Sequence, residues 1–290
     1  MKHLNQFITE YIVKKKLDKP IDSEDHYEYF PKRRSELIEI LKELVSKNIY
    51  DFNCIDTGSI SDMSNLFNNK IFYNLSFNVS NWDVSKVINM RNMFRGCIKF
   101  NCDLSKWNVS NVEDMSHMFH DCINFTGKGL ENWSTDNIKY VACMLFNCQN
   151  FNCDLSNWDL SDVTSTYGMF FNCKNFKGEG LENWNIGNAI NMGLMFCFCT
   201  KFNCDLSKWN VTNNTTDISG MFKDCIKFDS DLSNWDVSNV RNMEEMFLHC
   251  SNFTGKGLEK WNPENVVELY DMFKNCNSLK NKPSWYKENI

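Results

Sequence analysis

The sequence predicts an α/β repeat solenoid in which short strand plus short helix rungs stack behind an N-terminal helical cap. Three observations predict it. The nine tryptophans, Trp82, Trp107, Trp133, Trp158, Trp184, Trp209, Trp235, Trp261 and Trp285, recur at intervals of 24 to 26 residues. A second comb of Met-Phe pairs and cysteines, with Phe94, Phe119, Phe146, Phe170, Phe196, Phe222, Phe247 and Phe273 just ahead of Cys97, Cys122, Cys148, Cys173, Cys199, Cys225, Cys250 and Cys276, keeps the same step. Within one unit, Val112, Met115, Phe119 and Cys122 fall at the offsets of one helical face. A fixed period of this length marks units that bury their apolar face only by stacking on neighbours.

Residues 1–50 read as an N-terminal helical cap or docking segment. "LNQFITEYI" places Leu4, Phe7, Ile8, Tyr11 and Ile12 on one helical face, and "ELIEILKELV" does so with Leu37, Ile38, Leu41, Leu44 and Val45. Pro20 and Pro31 bracket the connection, and Lys14, Lys15 and Lys16 suit a solvated helix end.

Residues 51–290 read as a repeat solenoid of about nine units of 25 to 26 residues. In "DLSKWNVS", Trp107 and Val109 alternate with Asn108, as in a brief strand. Leu104 lies three residues before Trp107, so a bend is expected between them. "SNVEDMSHMFHDC" then opens as a helix, with Ser110 and Glu113 spaced as a capping box. "FNCDLSKW" units alternate with "FTGKGLENW" units, in which Gly127 and Gly129, like Gly178 and Gly180, supply an extra residue and positive-φ freedom.

Eight of the fourteen cysteines hold one repeat position beside an apolar pair, which suits buried thiols better than disulfides or zinc. Asp83, Asn108, Asp159, Asn185, Asn210, Asp236 and Asn262 each follow a tryptophan, and the mixing of Asn with Asp fits side chains that bond the turn backbone rather than a calcium ladder. His117 and His120 are half of a metal site at most, and no cofactor is expected.

The net charge is −6: residues 1–50 hold ten Lys/Arg against nine Asp/Glu, leaving 21 against 28 in the repeats. Without a basic stripe, nucleic acid is not an expected partner. No apolar run approaches the roughly 18 residues of a membrane span. The start, "MKHLNQFITEYIVKKK", lacks the apolar core of a secretory signal, so a cytoplasmic monomer is expected.

The line "NVSNVEDMSHMFHDCINF…DLSNWDLS" resembles the repeat of BspA-type leucine-rich-repeat surface proteins, over residues 55–285. The resemblance implies a leucine-rich-repeat-like array used for adhesion or protein binding, at the cell surface, with no enzymatic residues to carry over. The expected function is a non-enzymatic protein-protein interaction or adhesion scaffold. The alternative is a structural spacer, or a viral or phage structural component without a specific ligand. The rhythm slips once, in "WNVTNNTTDISGMF", where one residue is added and Asn214 stands where a valine is expected. Asn213, Asn214, Thr215 and Thr216 are the candidate binding knob, extruded near the expected strand-to-helix turn.

Overall fold

A computed structural model describes residues 27–287 of the chain. The segment "RSELIEILKELVS" forms α1, Arg34–Ser46. The Glu36 carboxylate starts it, accepting the Lys32 N–H at 2.8 Å and pairing with the Arg33 guanidinium. Leu37, Ile40, Leu41 and Leu44 are buried and join one continuous core with Phe52 and Ile55 of the first coil. The helix read in "LNQFITEYI" and the run Lys14 to Lys16 lie outside the described residues.

The repeats do not form the expected rung. Among the described residues α1 is the one α-helix, accompanied by single 3-10 turns at Leu130–Asn132 and Leu258–Lys260. Regular pairing between rungs is limited to isolated parallel bridges such as Asn89 with Asp114 and Asn191 with Asp217. The α/β solenoid of strand plus helix rungs, leucine-rich-repeat-like in kind, is therefore overturned: each rung is a chain of tight turns.

The hydrogen bonds show why. Val112, Met118, His120, Cys122 and Phe125 each donate their N–H to the carbonyl three residues back, and His117 and Asp121 have positive φ, which no right-handed helix tolerates. Successive three-residue turns bring Val112, Met115, Phe119 and Cys122 to one side as well as a helix would. The polar residues choose between the two, since Ser, Asn and Asp offer the backbone local bonds that compete with a helix. Asp114 Oδ1 accepts the Ser116 N–H at 2.8 Å, and the expected capping box is absent, because the Ser110 N–H goes to Asn108 Oδ1 and the Glu113 N–H to the Ile88 carbonyl. The bend before Trp107 is present as a turn closed by its N–H on the Leu104 carbonyl, at 3.0 Å.

The N–H groups left over hold the rungs together. Those of Met115, His117, Phe119 and Asp121 donate to the carbonyls of Tyr140, Ala142, Met144 and Phe146 in the next rung, at 2.8 to 2.9 Å. The same set recurs along the array, ending with Met243, Glu245, Phe247 and His249 on Glu268, Tyr270, Met272 and Lys274. A ladder with every donor on one side needs a backbone that alternates in hand, so Asn, Asp and Gly fill many of the positive-φ places, such as Asn92, Asp121, Asn172 and Gly220.

Inside the turns, like residues stack on like. Phe94 lies 5.5 Å from Phe119, and Phe196 lies 5.8 Å from Phe222, with near-parallel rings. Each tryptophan indole donates to a carbonyl of the preceding rung, as Trp158 does to Leu130. Leu145 occupies the core place that the phenylalanine comb assigns to Phe146; it is fully buried, and Phe146 is turned outward by the one-residue shift.

The cysteine comb is a column of buried thiols. Cys122, Cys148 and Cys199 donate at 3.0 Å to the carbonyls of Phe94, Phe119 and Phe170, each in the rung before. A thiol is small enough for the turn corner and still satisfies a buried carbonyl. All fourteen cysteines are free, and all but the half-buried Cys54 and Cys102 are buried. Desolvation holds the column thiols far above their usual pKa. Because the thiolate is the reactive form, native protein treated with iodoacetamide is expected to be alkylated at Cys54 and Cys102 well before the column, as mass spectrometry of timed digests reads directly. Rapid labelling of Cys122 or Cys173 would show that the core opens.

Candidate binding surface

The ladder segments form one outer side of the array, and most of the exposed large apolar residues lie on it. Ile88, Tyr140, Tyr167, Ile190, Phe198, Val267 and Tyr270 belong to these segments, against Ile49, Ile71, Ile98 and Ile226 elsewhere. Through the middle rungs runs a column of rings. His120 stacks on Phe146 at 4.5 Å, Phe146 on Phe171 at 4.2 Å, and Phe171 meets Phe198 edge to face at 5.5 Å. Because the first three rings are almost parallel, they offer their electropositive edges outward rather than their faces. Arg95 holds the same repeat position as His120, one rung earlier, and Arg91 lies 3.8 Å from Asp114.

This column was missed because it lies outside the repeat's apolar pattern. One signal was available: Phe146 precedes Cys148 by two residues, where the other phenylalanines precede their cysteines by three.

The paired histidines belong to the edge of this surface. Their rings are 5.6 Å apart, but His120 Nδ1 is engaged by Asp121 Oδ2 at 2.9 Å. Among the described residues no group of three or more His, Cys, Asp or Glu side chains gathers as a metal site would. His117 Nδ1 is buried without a partner among the described residues. Burial first, then the neighbouring His120, Arg95 and Arg91, lowers its pKa to about 4. The unfolded chain takes that proton near its ordinary value of about 6.5. The stability carried by neutral His117 is therefore complete above about pH 6.5 and is lost as pH falls towards about 4, by about 1 to 2 kcal/mol once partial exposure is allowed for. His117→Asn, which keeps a residue tolerant of positive φ, is expected to flatten urea midpoints over that window; an unchanged pH slope would assign the loss to other groups.

The residues of the slipped rung separate in the structure. Thr215 is buried and fills the valine place, its hydroxyl donating to the Ala189 carbonyl at 2.8 Å. Asn214 is exposed and joins a column of asparagines: its Nδ2 donates to the Gly187 carbonyl, as Asn188 Nδ2 does to Ser161 and Asn111 Nδ2 to Ser85. The added residue is taken up ahead of Asn214, where Thr212 becomes the start of the turn closed by the Thr215 N–H. Asn213 is exposed, and its carbonyl accepts from Asn239 Nδ2. Thr216 is half-buried and lies beside Ile190, to whose carbonyl its N–H donates. Of the four, Asn213 and Asn214 face solvent, Thr215 lies in the core and Thr216 borders the ladder side.

Asn210 Oδ1 accepts from the Ile186 N–H of the preceding rung and the Asn262 amide donates to Glu264, but the other five Asp and Asn residues after the tryptophans accept from the backbone two residues on. Asp83 does so from Ser85, Asn108 from Ser110 and Asp236 from Ser238, at 2.9 to 3.1 Å.

Stacked turns, like-on-like core columns and a 25 to 26 residue step define a repeat protein. The chain belongs to the family described as Mycoplasma protein of unknown function, DUF285, whose profile matches residues 36–129, 114–215 and 164–286 in overlapping spans. The search of curated proteins finds no match. Among the described residues no helix is long and apolar enough to cross a membrane.

Proposed function

We propose that the chain is a non-enzymatic solenoid scaffold for protein binding or adhesion. The observation that carries this reading is the one-sidedness of the exposed apolar residues: a spacer selected only for shape has no reason to collect Tyr140, Tyr167, Ile190 and Phe198 on its ladder side. The resemblance of the Trp, Met-Phe and Cys combs to the BspA-type surface repeats supports the same use. The partner is a protein segment with apolar side chains to cross the Phe171 and Phe198 rings and carboxylates towards Arg91 and Arg95, where ring edges and guanidinium groups have the same sign. The test is capture of partners by the full chain, followed by titration of each purified partner against Tyr167→Ser/Phe198→Ser. Both side chains are partly exposed, so the variant keeps its core. Affinity is expected to fall at least tenfold, about 1.4 kcal/mol. Equal affinity of the double variant for every captured protein would remove the ladder side as the binding surface.

A further inference from the structure

Apolar side chains occupy the middle of the ladder side, and opposite charges stand equally far from it in the two directions. A ladder segment turns three pairs of positions outward, in the pattern of 88–89, 91–92 and 95–96, with Met90, Met93 and Phe94 buried between them. Among the described residues nine such segments run from 61–69 to 267–275, and 164–172, which carries Tyr167 and Phe171, is the middle one. The segments on either side of it carry Tyr140 and Phe146, and Ile190 and Phe198. Three segments before the middle stand Arg91 and Arg95; three segments after it stand Glu244 and Glu245.

We infer that the ladder side is a two-fold dimer interface, on which a second copy of this chain lies antiparallel with segment 164–172 at the axis. The inference rests on the reading of the ladder side as a protein-binding surface. A second copy supplies both features required of the partner, apolar side chains for the rings and carboxylates for Arg91 and Arg95. A two-fold axis normal to the surface lays each segment on the one equally far from the middle and reverses its direction, which makes the contact isologous. In that register Arg91 meets Glu245, Asp114 meets Lys223, Asp62 meets Lys274, and Phe198 packs on Lys139 and Tyr140, every contact occurring twice. At the axis Tyr167 of each copy faces Gly168 of the other, where no side chain stands in its way. Arg241 and Glu268 fall opposite the uncharged Gly96 and Asn68. One pair is repulsive: Glu113 meets Asp224, although each is already held within its own chain, by Lys139 and by His249, both at 3.0 Å. A parallel arrangement is disfavoured, because it would set Arg91 and Arg95 beside their own copies and do the same with Glu244 and Glu245.

Analytical ultracentrifugation of the full chain, from about 1 to about 200 μM, tests this. The average mass is expected to rise with concentration and to level off at a dimer. Arg91→Glu and Glu245→Arg are each expected to raise the dissociation constant at least tenfold, and together in one chain to return it to within about threefold of wild type. The two residues lie six rungs apart in one chain, so recovery can come only through a second copy. Neither substitution repairs the contact the other breaks within the chain, Arg91 with Asp114 or Glu245 with Lys223. Tyr167→Ser/Phe198→Ser is expected to abolish the dimer over the same range. A dimer unaffected by that pair, assemblies larger than a dimer, or a double charge reversal no better than the single ones would each overturn the inference. Wild type that stays monomeric throughout would overturn it too, and if that monomer still captures a foreign protein through Tyr167 and Phe198 the proposed function stands without it.

Discussion

Trp158→Ala is expected to lower the stability of the array by about 3 to 5 kcal/mol, the range for emptying a buried indole site. Three effects add. The indole is almost fully buried, so its apolar surface is lost from the core. It also lies between Trp133, at 6.2 Å, and Trp184, at 6.5 Å, with rings within 7° of parallel, so two stacking partners are left facing a cavity. Finally, its Nε1–H donates to the Leu130 carbonyl at 2.9 Å, and that buried acceptor loses its partner. Trp158→Phe separates the contributions: it retains an aromatic ring but not the donor, and is expected to cost roughly half as much. Because both neighbours are themselves tryptophans, the loss is expected as an early red shift of fluorescence as well as a lowered urea midpoint. A midpoint for Trp158→Ala within error of wild type would mean that the tryptophan column does not hold the rungs.

What the sequence made legible was the contents of the core. The tryptophan column, the cysteine column, α1, the turn between Leu104 and Trp107, and the Asp and Asn acceptors after five of the tryptophans are all where spacing and side-chain chemistry place them. The backbone of the rung was not legible from periodicity, because offsets of 3, 7 and 10 from Val112 satisfy a helix and a succession of three-residue turns equally well. The deciding information was polar: Asp114, Ser116 and Asp121 are poor helix formers that bond their own backbone or accept positive φ. It was also non-local. From Met115 to Cys122 alternate N–H groups go to the next rung, and a pattern read within one unit cannot register a bond to another. The same limitation placed Phe146 in the core comb and Asn214 in the valine place, since each differs by one residue from its true register. The half-buried ring column that runs from His120 to the exposed Phe198 could be recognised only once that register was known.

The alternation of unit types leads to the sharpest test of the stacked-turn packing. Gly129 has φ of 100°, outside the usual range of a residue bearing Cβ. A Cβ added there would lie 2.2 Å from the Ser105 backbone nitrogen and 2.5 Å from the Leu104 carbonyl carbon. Gly180 and Gly257 stand in the same relation to Ser156 and Ser233, so the close approach is a property of this unit type. Neither obstacle can rotate away, because Leu104 and Ser105 are main chain, and the Leu104 N–H is held by the Lys128 carbonyl one residue before the glycine. Gly129→Ala is therefore expected to cost about 3 to 5 kcal/mol: about 1 to 2 for the backbone conformation, and the remainder for prising apart two rungs. Gly168→Ala is the control. Its φ is also positive, at 58°, but its Cβ would meet only side chains, the nearest being Cys143 Sγ at 3.2 Å. With conformational strain alone, it is expected to cost about 1 to 2 kcal/mol. Chemical denaturation of the two variants beside wild type gives the comparison. Equal losses would mean that positive φ, and not contact between neighbouring rungs, is what reserves the position for glycine.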